Sequence, residues 1–210
     1  MRPWLRDTGK RVLRAYLREH FMWQLSSDSS GVALTFDDGP HPEYTDAVLR
    51  LLAQHDVKAT FFLIGRNVKA HPEVVQRIAA EGHSLGGHTF EHREIVTLND
   101  GELAQELSTC RAAIRDATGV DTLWFRPPRG RMNLTSLRRI AELGYRTVHW
   151  TKTYSDYKCD GSGELLQRMR EQPAVPRDVV LLHDHNPYTV EALATAIPFW
   201  KSSGLSFQAL

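Results

Sequence analysis

The stretch Val32-Ala33-Leu34-Thr35-Phe36-Asp37-Asp38-Gly39-Pro40 decides the fold. Its first five residues form an unbroken β-rich run, and the next four are turn formers that end it. Just upstream, residues 26–31 (SSDSSG) read as a linker. The core domain is therefore expected over residues 31–210, with residues 1–30 as an N-terminal helical extension.

Downstream, strand-like segments at 59–64, 84–88, 123–126, 147–150, 179–183 and 205–210 alternate with helix-like segments at 47–53, 74–80, 103–117, 134–143, 165–170 and near 190–200. Such alternation favours an α/β fold of parallel strands wrapped by helices, and about seven strands suit either a barrel or an open doubly wound sheet. Polar residues fall repeatedly at the carboxyl ends of these strands. Asp37 and Asp38 follow the first, His88 the third, Arg126 the fourth, and His183 closes the run at 179–183. Barrel and α/β enzymes assemble their active sites at that end.

His88 and His92 stand four apart, a spacing that sets two imidazoles on one side of a helical turn or a tight loop, where they can share a metal. In a chain with 10 histidines the same spacing also suits two surface or capping residues. Asp38 would complete a two-His, one-carboxylate set with open positions for water and substrate. Asp37, its neighbour, would then face the bound water as a base. Asp-Asp-Gly-Pro is also ordinary turn chemistry.

A length of 210 residues is enough for one domain with a real core. The net charge of +1, with both signs mixed, lacks the broad basic surface that phosphate binding needs, which argues against nucleic acid as a partner. Cys110 and Cys159 have neither zinc-knuckle nor redox spacing, so two free thiols are expected. Arg2, Arg6, Asp7, Lys10, Arg11, Arg14, Arg18 and Glu19 interrupt any apolar export or transmembrane segment. That pattern predicts a cytoplasmic chain, or an extracytoplasmic one if the start is trimmed. Leu5, Val12, Leu13, Ala15, Tyr16 and Leu17, set among those charges, fit a basic amphipathic helix that packs on the domain or touches a membrane surface.

Five motifs in order give the chain a specific resemblance. They are Thr35-Phe36-Asp37-Asp38-Gly39-Pro40, His88 to His92, Arg126-Pro127-Pro128-Arg129-Gly130, Asp156-Tyr157 and Leu181-Leu182-His183-Asp184. Together they resemble the polysaccharide deacetylases of the NodB-homology type, carbohydrate esterase family four, over roughly residues 31–210. The resemblance implies a distorted (β/α) barrel and a divalent metal held by Asp38, His88 and His92. Zinc is the default, and cobalt, nickel or iron suit the same donors. It also implies Asp37 as general base, Arg126 pairing with it, a backbone N–H near Arg129 for the oxyanion, His183 as proton donor, Asp156 orienting His183, and Leu181 walling the acyl-methyl pocket.

Two motifs depart from the family pattern. Thr153 and Tyr157 stand where the fourth motif usually has Asp and Trp, although the Tyr157 ring still offers a face to a sugar. Arg129 stands where Tyr is frequent, adding a charge at the mouth of the site that suits an anionic substrate group or solvent. The implied activity is removal of an N- or O-acetyl group from a carbohydrate. A deformylase or amidase acting on a lipid-linked sugar or a small non-sugar amide would use the same motifs, which specify acyl hydrolysis and not the leaving group. A protein that only binds would need neither the base nor the acid.

Overall fold

A computed structural model describes residues 19–210. The first part of the expected N-terminal extension, residues 1–18 with its basic amphipathic stretch, lies outside the described residues.

Strand β2 (Gly31–Asp37) is buried along its whole length at the centre of a nine-stranded sheet, between β3 (Thr60–Leu63) and β8 (Val179–His183). Beyond β3 lie β4 (Ser84–Gly87), β5 (Trp124–Phe125), β6 (Arg146–Val148) and β1 (Phe21–Met22); beyond β8 lies β7 (Lys152–Thr153). The last strand, β9 (Ser206–Phe207), pairs with the start of β2. All the ladders are parallel. Parallel neighbours need long crossovers, and helices α1 (Tyr44–Gln54), α2 (Gly65–Ala70), α3 (Pro72–Ala80), α4 (Asp100–Thr118), α5 (Leu134–Glu142), α6 (Ser162–Glu171) and α7 (Pro187–Ser202) lie between strands.

The period of two along the strands sorts side chains between two cores. Val32, Leu34, Phe36, Phe61, Leu63, Val180 and Leu182 join the helices in the larger cluster. Ala33, Phe62, Val148 and Val179, with Leu25, Trp124, Trp150 and Leu210, form a separate one. Val148 on β6 is not a sheet neighbour of β2 or β8, so its place in one cluster with their residues fits a sheet that curls. The α/β fold is thus an open, distorted barrel filled by side chains. Gly86 on β4 makes room for that filling, since a Cβ there would lie 2.6 Å from the Phe62 ring.

Where structure and sequence reading differ, the elements are short and held by tertiary contacts. Phe21–Met22, read within a helical extension, forms β1 because Thr147 and Val148 offer a strand edge to pair with. Two-residue strands such as β1 and β7 show no periodicity, and they raise the strand count above seven. Helix α2 was not expected: its six residues include Gly65, Arg66, Asn67 and Lys69 and display no apolar stripe. The strand expected at 205–210 shrinks to β9, after which Leu210 N–H donates to Thr60 Oγ1 and Leu210 O accepts from Ser84 Oγ. Cys110 and Cys159 are free and buried. No helix among the described residues is long and apolar enough to cross a membrane.

Candidate active site

The carboxyl ends of β2, β4, β5 and β8 bring the expected residues together. Asp37 ends β2, and Asp38 turns the chain with φ 74°, a left-handed conformation that Asp takes more readily than most non-glycine residues. Helix α2 helps hold this turn: Asn67 Nδ2 donates to Asp38 O at 2.9 Å, and Ile64 N–H, at the entry to α2, donates to Gly39 O at 2.9 Å. His88 follows β4 directly. Thr89 (φ 61°) and His92 (φ 59°) then bend the chain into a tight loop rather than a helical turn. The buried Glu106 carboxylate on α4 accepts the N–H groups of Phe90 and Glu91 at 2.8 and 2.9 Å, which fixes this loop and sets the His88 and His92 rings 5.1 Å apart.

Asp38, His88 and His92 form a cluster whose candidate ligand atoms all lie within 4.8 Å of one another. His88 Nδ1 meets Arg126 O at 2.7 Å, and because a carbonyl can only accept, Nδ1 carries the proton. Its Nε2 lone pair then faces Asp38 Oδ1 at 3.4 Å, with His92 Nε2 at 3.2 Å from the same oxygen. That oxygen is buried without a hydrogen-bond partner of good geometry. At His88 an acceptor lone pair thus faces a carboxylate oxygen, a pairing that a cation between them would relieve, so the donor set fits a metal ion. Burial opposes ionisation of Asp38, but without a cation a hydrogen bond from His92 and the charge of protonated His88, His183 and His92 pull its carboxyl well below the usual range. Burial also lowers the His88 pKa, favouring the neutral ligand form.

Asp37 and Arg126 form the most enclosed ion pair of the site. Arg126 is fully buried; its Nη1 donates to Asp37 Oδ1 at 2.6 Å and to Thr35 Oγ1 at 2.8 Å, and Nη2 reaches His149 O at 3.3 Å. The guanidinium also lies 4.1 Å from the Phe62 ring centroid. Asp37 Oδ2 stays 3.9 Å from His88 Nε2, beside the cluster.

His183 is the register partner of Asp37 on the adjacent strand. Buried Asp156 holds it twice, accepting from the backbone N–H at 2.7 Å and bonding Nδ1 at 2.8 Å, while Thr189 Oγ1 donates to Asp156 at 3.0 Å. Burial alone would lower the His183 pKa, but the hydrogen bond and charge of Asp156, with Asp37 and Asp38 nearby, raise it to about 9. Nε2 lies 4.0 Å from Asp38 Oδ2.

The remaining expected residues line the surroundings. Tyr157, 55% exposed, sets its ring edge-to-face with His183 at 5.4 Å. Leu181 lies buried one strand repeat below His183, opposite Thr35. Arg129, with φ 58° and a side chain 66% exposed, pairs with Glu94 at 2.8 Å; Arg131 bonds the other oxygen of Glu94 at 2.9 Å. Sequence reasoning gave no part to Thr35, Asn67, Glu106 or Thr189. Only Glu106 left a local sign, as a carboxylate among Leu103, Leu107, Cys110 and Ala113 on the buried face of α4.

A curled parallel barrel with a two-His, one-Asp cluster, a clamped carboxylate and a carboxylate-backed imidazole at its carboxyl rim defines a hydrolytic α/β enzyme. The sequence profile of the polysaccharide deacetylase family matches residues 25–148, and the chain belongs to that family. It is 34% identical to the chitooligosaccharide deacetylase of Rhizobium leguminosarum bv. trifolii over 94% of this chain and 98% of that protein. It is 33% identical to the peptidoglycan-N-acetylmuramic acid deacetylase PdaA of Bacillus subtilis, over 97% of this chain and 79% of that protein. The crystal structure of the Bc1960 peptidoglycan N-acetylglucosamine deacetylase superposes with a TM-score of 0.87 at 31% identity, covering 93% of this chain and 94% of that one. The chain is therefore a polysaccharide deacetylase-type hydrolase of amide carbon–nitrogen bonds.

Proposed function

We propose that the chain removes the N-acetyl group of an amino sugar in a glycan, with water attacking between a carboxylate base and an imidazolium acid. The register partnership of Asp37 and His183 carries this reading. Adjacent strands present a clamped carboxylate and a carboxylate-backed imidazole, each within 4.0 Å of a residue of the Asp38–His88–His92 cluster.

Asp38, His88 and His92 would hold a divalent cation, with zinc the default. Bound there, the cation supplies Lewis acidity, activating a water at neutral pH and polarising an acyl carbonyl. Asp37, aimed by Arg126, takes a proton from the attacking water as the water oxygen bonds to the acyl carbon. The Arg129 backbone N–H is assigned to the oxyanion that forms. His183, with Nδ1 committed to Asp156, gives its Nε2 proton to the sugar nitrogen as the C–N bond breaks, releasing acetate and a free amine. Leu181 walls the acyl methyl, and the Tyr157 ring faces the sugar.

The relatives' names support a glycan substrate: chitooligosaccharide for one, peptidoglycan amino sugars for the others. Arg129 favours the muramic acid type in glycan strands without peptide stems, where the lactyl group of the sugar is a free carboxylate. Two exposed guanidinium groups, Arg129 and Arg131, share the single carboxylate of Glu94, which leaves the rim positive. Acetate release by chelator-treated protein, before and after zinc is added, tests the reading on chitooligosaccharide and on peptidoglycan glycan strands. Zinc-restored release, faster on the muramic acid glycan, is expected. Release without metal would sink the metal-dependent mechanism, and release only from small formamides or amides would move the substrate to the deformylase or amidase class.

The pH dependence follows from His183. A proton donor whose pKa Asp156 raises is protonated at neutral pH and loses its proton as pH rises through the folded value, so kcat falls on the alkaline side. Asp156→Asn removes the charge that raises this pKa. The alkaline limb of kcat is expected to move to lower pH, and an unmoved limb in the variant would show that another group sets it.

A further inference from the structure

We infer that Asp184 is a positioning residue for the metal site, tying the turn after β8 to the turn after β2. The inference rests on the reading of Asp38 as a metal ligand. Asp184 is completely buried, and its Oδ2 accepts from Thr45 Oγ1 at 2.5 Å. Thr45, at the start of α1, is equally buried, and its hydroxyl accepts the His41 N–H at 2.7 Å. One hydroxyl thus connects the Asp184 carboxyl to the segment that leaves the Asp37–Asp38 turn. The carboxyl also sits directly on Gly39: a Cβ there would lie 2.5 Å from Oδ2, 2.7 Å from Oδ1 and 2.9 Å from Cγ.

These contacts close a cage around Asp38. At φ 74° Asp38 occupies the left-handed region, which Asp tolerates better than most residues but which still costs more than an extended or helical backbone, so the contacts on the turn decide whether it is kept. Asn67 and Ile64 hold the turn from the β3 side, through Asp38 O and Gly39 O. Asp184 and Thr45 hold it from the β8 side. A carboxyl is a costly choice at this buried point, because Thr45 is the one side chain that donates to it and Oδ1 finds no partner of good geometry among the described residues. What a carboxyl adds at this point is direction: it fixes where the Asp38 ligand stands relative to His183, the residue just before it.

Thr45→Val keeps the side-chain shape and removes the donor, Asp184→Ala removes both the acceptor and the wall against Gly39, and Asp184→Asn retains both. Zinc affinity of chelator-treated protein, read by competition with a chromophoric chelator, should fall about tenfold or more in Thr45→Val and in Asp184→Ala. It should stay within a few-fold of wild type in Asp184→Asn, and the Thr45→Val/Asp184→Ala double variant should bind zinc no more weakly than Asp184→Ala alone. The thermal midpoint of the zinc-free proteins is measured alongside. Wild-type zinc affinity in both Thr45→Val and Asp184→Ala, whatever their midpoints, would overturn the inference. Absence of zinc binding in the wild-type protein would overturn the metal-ligand reading itself, and this inference with it.

Discussion

Replacing Asp37 by asparagine is expected to lower kcat on an acetylated amino-sugar oligomer by about 10²–10⁴-fold, the range that a general base commonly supplies. The amide has almost the shape of the carboxylate but cannot take the proton of the attacking water. Asp37 lies outside the ligand cluster, with its Oδ2 3.9 Å from His88 Nε2, so zinc stoichiometry should be retained. That combination separates a base from a ligand. Asp38→Asn, by contrast, should weaken zinc binding itself, because Asp38 Oδ1 is the atom on which both imidazoles converge. The measurement is a paired one, steady-state kinetics with bound zinc counted in the same preparation. An Asp37→Asn protein that keeps its zinc and turns over at the wild-type rate would remove Asp37 from the mechanism.

Much of this site was legible in the chain because barrel chemistry collects at strand ends, where a polar residue after an apolar run stands out. Asp37, His88, Arg126 and His183 were each readable in that way, and β8 begins and ends where its apolar run does. The supporting contacts left no such trace. The bonds between Thr45 and Asp184 and between Thr189 and Asp156 join residues 139 and 33 positions apart, and no local pattern encodes them. Helix α2 escaped for the opposite reason. Its sequence has no apolar stripe, and its opening N–H groups at Gly65 and Arg66 are satisfied by Thr89 O and Phe90 O of the histidine loop. The loop and the helix therefore define each other only once the barrel has formed. Arg129 was readable as a charge at the mouth, whereas its sharing of Glu94 with Arg131 depended on a loop whose path the sequence did not give.

Arg126→Met should cost the fold about 3–5 kcal/mol, the penalty for leaving one member of a buried ion pair without its partner. The guanidinium has no solvent access, so water cannot replace it against Asp37 Oδ1 or Thr35 Oγ1, and the His149 carbonyl loses a donor too. For a protein of this size each kcal/mol lowers the thermal midpoint by about 2–4 °C, which predicts a drop of roughly 6–20 °C. Methionine fills much of the same volume, so most of this loss reports the stranded carboxylate rather than a cavity. The double variant Asp37→Leu/Arg126→Met tests that attribution. With both charges gone the stranded group disappears, and the double variant should melt above Arg126→Met although it carries one more substitution. It should still have no activity, because on the proposed mechanism both the base and the group that aims it are gone. If the double variant instead melts below Arg126→Met by the sum of the single losses, the two residues are not coupled, and Arg126 serves the core independently of Asp37.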